Sequence, residues 1–140
     1  MKIVLNITDP TSWRVKNPKR LPLVVDPVMI SSSGSVLLQA SALKAMQHRL
    51  LPLARLVMPN VPEAEKLTGL RIGGPEDLRT AARALYEAHG CAVLVKGGHL
   101  PRMKEAVGVL FDGKEEWLLA APRIKGNALP GTGCVYSAAI

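Results

Sequence analysis

Three runs of consecutive apolar residues punctuate the chain: Leu23-Val24-Val25, Leu56-Val57-Met58 and Ala92-Val93-Leu94-Val95. Each is short, continuous and apolar, and the first is β-branched and bounded by Pro22 and Asp26-Pro27, as expected of strands buried on both faces. Helical periodicity fills the gaps between them. Leu43, Met46, Leu50 and Leu51 recur at helical spacing behind Ser41, which can cap the first turn. A short helix over 63–68 is predicted to stop at Gly69. A longer one opens at Gly73-Gly74-Pro75, carries Glu76 and Asp77 at its positive end, buries Leu78, Ala81, Ala82 and Leu85, and stops at Gly90. Strands alternating with helices predict a βαβαβ unit, an α/β fold whose mostly parallel sheet is covered on both faces.

Beyond Lys96-Gly97-Gly98-His99 the pattern changes. Segments 107–111 and 116–119 flank Asp112-Gly113 and predict a hairpin on a two-residue turn. Residues 1–20 show no periodicity, because Asp9-Pro10, Asn17-Pro18 and scattered charges interrupt it. The last stretch, Gly131-Thr132-Gly133-Cys134-Val135-Tyr136-Ser137-Ala138-Ala139-Ile140, reads as a glycine-rich turn opening a buried helix.

Composition narrows the function classes. In 140 residues, 48% are hydrophobic and 21% charged, so the chain has the make-up of one small globular domain. The net charge of +7 points to an anionic partner. The basic residues form no run, and aromatics are only 4%, which argues against nucleic acid. No apolar run approaches the ~18 residues of a membrane span, and the start lacks the features of a signal peptide. Cys91 and Cys134 form neither a disulfide framework nor a zinc pattern, so the chain is expected to be cytoplasmic with reduced thiols.

Candidate chemistry gathers where parallel strands end, the rim at which such sheets bind ligands. Asp26-Pro27-Val28-Met29, Pro59-Asn60-Val61-Pro62-Glu63 and Lys96-Gly97-Gly98-His99 follow the three strands. Each has a plain structural reading: Asp26 starting a turn, Asn60 capping a helix, Gly97-Gly98 bending the chain. Together with Gly131-Thr132-Gly133-Cys134 they suggest an anion site, since glycines let amide N–H groups at a helix start converge on negative charge. Cys134 there is either a lowered-pKa thiol or a small buried helix residue. Cys91, before a buried strand, is expected to be inert.

The order of these motifs, with Leu50-Leu51-Pro52-Leu53-Ala54 between the first two, resembles the hydroxymethylpyrimidine/phosphomethylpyrimidine kinases of thiamine biosynthesis, within the ribokinase-like superfamily. The resemblance covers residues 21–140. It implies a fragment of a three-layer ribokinase-like sandwich, with residues 1–20 as an atypical segment and the domain shortened at both ends relative to the family. It further implies phosphoryl transfer from ATP with Mg²⁺ to a small pyrimidine. Asp26, Asn60 and Glu63 would organise the metal, and Lys96 and Asn60 the phosphates. The amides of Gly131, Thr132, Gly133 and Cys134 would form the anion hole. Cys134 would serve as the base, and Val28 and Met29 would lie near the pyrimidine. Pro130 and the loop over 30–34 depart from the family pattern, which usually has His and a lysine there. Two other readings stand beside this one: a catalytically silent kinase remnant or a module needing a partner piece, and a pyridoxal/pyridoxine kinase. Relatives that dimerise extend the expectation to a homodimer, and an uncovered sheet edge would favour association.

Overall fold

The computed structural model describes residues 22–29, 38–98, 100 and 103–123. Five strands form one sheet in the order β1-β2-β3-β4-β5: Val24–Val25, Leu56–Val57, Ala92–Lys96, Glu105–Phe111 and Glu116–Pro122. β1, β2 and β3 are parallel, while β4 and β5 add an antiparallel hairpin to β3. The three apolar runs thus become the parallel part, and the alternating segment becomes the hairpin.

Residues paired across strands share a face of the sheet. The row Val25, Val57 and Val93 therefore defines one face, continued by Phe111 on β4. Both buried clusters of the described residues sit on it. One joins Leu23, Val25, Val57 and Cys91 to Met29, Met46, Leu50 and Leu51. The other joins Val93, Val95, Val109 and Phe111 to Ala64, Leu78, Ala81, Ala82 and Leu85. Leu67 packs against both. The expectation of helices on both faces is met on this face alone among the described residues, although Met58 and Leu94 of the opposite parity are also buried.

The first helical segment departs from the predicted regular helix. α1, Ala40–Ala45, runs into a π-helical stretch, Met46–Leu50, and a 3₁₀ turn, Leu51–Leu53. Its N-cap is Gln39, not Ser41, and no side chain caps it. The widened turn lets the adjacent Leu50 and Leu51 both be buried with Met46.

α2, Val61–Thr68, begins two residues earlier than predicted because Pro62 fits the first turn, and Gly69 ends it at φ 75°. α3, Pro75–His89, starts where the Asp77 carboxylate accepts from the N–H groups of Gly73 and Gly74, at 2.9 and 3.1 Å. Gly90 closes it at φ 69°. No described helix is long and apolar enough to cross a membrane.

The predicted two-residue hairpin turn is instead a four-residue loop, because Phe111 pairs with Glu116. Asp112 decides this: its carboxylate accepts from the N–H groups of Lys114 and Glu115, both at 2.8 Å, and these bonds hold its pKa below the usual value. Gly113, at φ 96°, lies directly against the Tyr86 ring, so a Cβ there would strike it. Tyr86 meets Phe111 edge to face, and Arg79 and Arg83 of α3 both reach Glu116, at 2.9 and 3.0 Å.

Candidate active site

Because β1, β2 and β3 run parallel, the segments after them emerge at one rim. The chain continues this register past the strands: Asn60 bridges to Lys96, the Lys96 N–H donates to the Pro59 carbonyl at 2.8 Å, and Met58 N–H to the Val25 carbonyl at 2.9 Å. The rim is therefore an extension of the ladder, and its side chains inherit the rigidity of the sheet.

Lys96 spans it. Its Nζ lies 3.0 Å from Oδ1 of Asp26, 70 positions away in sequence. The two side chains are only 17% and 16% exposed, so their charges are weakly screened and depend on one another.

Behind this pair Asn60 and Glu63 cap α2 reciprocally. The Glu63 N–H donates to Asn60 Oδ1 at 2.9 Å, and the Asn60 N–H donates to Glu63 Oε2 at 2.8 Å. Glu63 is 3% exposed and is the one buried charged residue among the described residues. Burial raises its pKa first, opposed by the bond from the Asn60 N–H. Asp26 pushes it up further, while Lys96 and the Met29 N–H draw it down. Asp26, Glu63 and Lys96 thus form one electrostatic unit from three chain segments.

Gly97 fixes the height of Lys96 above the rim. Its N–H donates to the Val107 carbonyl at 2.7 Å, and a Cβ there would lie 2.7 Å from both that oxygen and Cδ1 of Leu78. Gly98 faces open space. Leu100 closes the turn through its N–H to the Gly97 carbonyl at 2.9 Å, and Nη2 of Arg123 donates to the Leu100 carbonyl at 2.6 Å. Arg123 has no signature along the chain, since the carbonyl it holds belongs to a distant segment and carries no side-chain signal.

Val28 is exposed at the rim, while Met29 points into the core with Met46 and Leu50. Gly131, Thr132, Gly133 and Cys134 lie outside the described residues, as does His99. Cys91 is buried, which pushes its thiol up to about 11.

The donor set suits a hard cation in part. Asp26 and Glu63 offer carboxylate oxygens within electrostatic reach of each other, but Asn60 Oδ1 and Glu63 Oε2 are already engaged in the cap. That fits Mg²⁺, which keeps several waters and takes one or two carboxylates alongside phosphate oxygens.

The chain as a whole is similar to known proteins. A sequence model described as phosphomethylpyrimidine kinase matches residues 6–140. The hydroxymethylpyrimidine/phosphomethylpyrimidine kinase of Streptomyces coelicolor is 44% identical over 119 residues, 85% of this chain and 44% of that protein. The crystal structure of phosphomethylpyrimidine kinase from Clostridium difficile 630 superposes with a TM-score of 0.65 at 38% identity, over 71% of this chain and 42% of that one. The pyridoxal kinase of Staphylococcus aureus, solved in complex with ADP, gives 0.74 at 32% identity over 84% and 43%. The chain spans less than half the length of each of these proteins. With its rim motifs in family order and a family match over nearly its whole length, the chain belongs to the phosphomethylpyrimidine kinase family.

Proposed function

We propose that the chain takes part in the ATP-dependent phosphorylation of hydroxymethylpyrimidine and its monophosphate. The observation that carries this reading is the Lys96–Asp26 pair at the rim, set against the buried, capped Glu63. A phosphoryl group crossing from one oxygen to another needs positioning and charge neutralisation more than covalent help. Lys96 supplies a positive charge, held in place by Asp26 and by the ladder bond of its own backbone. Asn60 and Glu63 supply oxygens around the same point. The N–H groups of Gly131 to Cys134 would cradle the transferred phosphate.

The substrate hydroxyl oxygen would form the new P–O bond as the bond to ADP breaks and the electron pair leaves with ADP. The hydroxyl proton would pass to the Cys134 sulfur. Val28 would lie against the pyrimidine, with Met29 supporting it from the core. Asp26 and Glu63 would hold Mg²⁺, with Asn60 positioning Glu63 through the cap, and the ion would supply charge neutralisation to the phosphates.

Pyridoxal is the second reading, because the Staphylococcus aureus pyridoxal kinase that shares the fold at 31% identity was solved in complex with pyridoxal. Incubating the purified chain with MgATP and either hydroxymethylpyrimidine or pyridoxal, and following the phosphate ester by ³¹P NMR, tests both readings. Ester on hydroxymethylpyrimidine, lost in Lys96→Met, is expected. Ester on pyridoxal alone would move the assignment to that substrate, and no ester on either would leave a silent module.

A further inference from the structure

β5 runs antiparallel to β4, and β4 antiparallel to β3, so β5 points the same way as β3 and ends at the rim where Lys96 lies. Arg123 follows its last residue. Glu105 is paired with Pro122, which has no N–H to give to the ladder, and Nε of Arg123 donates to the Glu105 carbonyl at 3.4 Å. Nη2 of the same guanidinium donates to the Leu100 carbonyl at 2.6 Å, a short bond of the charge-assisted kind. The planar fork thereby spans two carbonyls, one at the start of β4 and one in the turn that follows Lys96.

That turn passes any displacement on to Lys96. Leu100 is 1% exposed, so its carbonyl depends on a protein donor. Its N–H donates to the Gly97 carbonyl at 2.9 Å, and its Cδ1 would lie 3.2 Å from a Cβ placed on Gly97. Gly97, the residue after Lys96, is tied to β4 through its N–H to the Val107 carbonyl at 2.7 Å. A shift of Leu100 therefore reaches the Lys96 backbone through one hydrogen bond, one close contact and one peptide unit. On the kinase reading of the rim, on which this rests, we propose that Arg123 is a positioning residue for phosphoryl transfer: its guanidinium clamps the turn after Lys96 to the start of β4 and so sets where the Lys96 ammonium stands against the transferred phosphate. The task needs N–H groups fixed in one plane more than it needs charge, which distinguishes Arg from Lys at this position.

Steady-state phosphorylation of hydroxymethylpyrimidine by the chain with MgATP tests this. Arg123→Met should lower kcat by up to about 100-fold, the cost of misplacing reacting groups by about 1 Å, and leave KM for ATP nearly unchanged. Arg123→Lys keeps the charge but not the fork and should recover little of the loss. In a Lys96→Met background, Arg123→Met should cost nothing further, because the group it positions is gone. Circular dichroism of each variant should match that of wild type, and Arg123→Gln, which keeps N–H donors for one carbonyl, carries the same test if Arg123→Met does not fold. Full activity in Arg123→Lys, an undiminished loss on top of Lys96→Met, or a rise in KM with kcat unchanged would each overturn the positioning role alone. A wild type that forms no ester would overturn the kinase reading of the rim, and the role of Arg123 with it.

Discussion

At the rim, Lys96 and Asp26 meet with 17% and 16% of their side chains exposed, whereas on β5 Trp117, Leu118 and Leu119 stand 39–49% open. Charge is withdrawn from water in one place and apolar surface is left in it in the other, which inverts the usual distribution. The two regions belong to one sheet, yet they differ in how their strands are joined. The parallel strands are flanked by neighbours and helices, so their ends can hold charges in fixed, poorly solvated positions. The hairpin is built from local contacts, and its outer strand has a described neighbour on one side only. A buried charge without a site to serve is costly, so the exception at the rim points to a use.

The comparison breaks most sharply at Lys96. If its ammonium neutralises the transferred phosphate, Lys96→Met should lower phosphate-ester formation by about 100-fold or more, the cost of removing one preorganised stabilising group. A comparable loss from any substitution confined to β5 would show that the two regions are not functionally separate.

The glycines sharpen it next. Gly97→Ala should lower stability by about 1–3 kcal/mol, because its Cβ would press on the Val107 carbonyl and on Leu78. Gly98→Ala, with open space around it, should change little. In the hairpin, Gly113→Ala combines positive φ with a collision against Tyr86 and should cost a similar 1–3 kcal/mol, roughly. Urea unfolding of the three variants decides this. If Gly98→Ala proves as damaging as Gly97→Ala, the packing around Gly97 is not what sets the position of Lys96.

Glu63 gives a pH test of the rim. Its folded pKa is raised above the unfolded value, so the folded state holds a proton that the unfolded state has released. Stability therefore falls as pH rises from the ordinary glutamate range toward the raised folded pKa, and the deficit persists above it. Glu63→Gln keeps an oxygen for the Asn60 N–H but cannot ionise, so its stability relative to wild type should improve with rising pH. Denaturant midpoints across this window check the sign, and a parallel pair of curves would show that Glu63 does not titrate differently on folding.

The smallest expected effect is on thiol chemistry. With its pKa near 11, Cys91 is almost wholly protonated at neutral pH, and it should resist alkylation until the chain unfolds, while Cys134 labels first. Labelling of Cys91 at an equal rate in the native state would contradict its burial.

Much of this was legible in the chain. Short continuous apolar runs between helical patterns allow little besides a parallel sheet, and Gly69, Gly90 and Pro75 mark helix ends because few other residues suit those backbone positions. The candidate residues Asp26, Asn60, Glu63 and Lys96 were legible as positions that follow the strands, and their order carried the family resemblance. Less was legible where packing competes with local preference. Ser41 is a good cap in isolation, yet the helix starts before it, and two adjacent leucines are buried by opening a π turn. Asp112-Gly113 favours a tight turn, but the Asp112 carboxylate finds two N–H groups in a longer loop.

The sequence by itself determined the elements, their order and the residues that emerge at the rim, because hydrophobic period and turn chemistry are local properties. Tertiary structure alone decided which of those residues meet. The contact of Lys96 with Asp26 spans 70 positions, and the close fit of Gly97 depends on Leu78 and Val107. Neither has a local signature, since distance through space is fixed only when the strands are placed side by side.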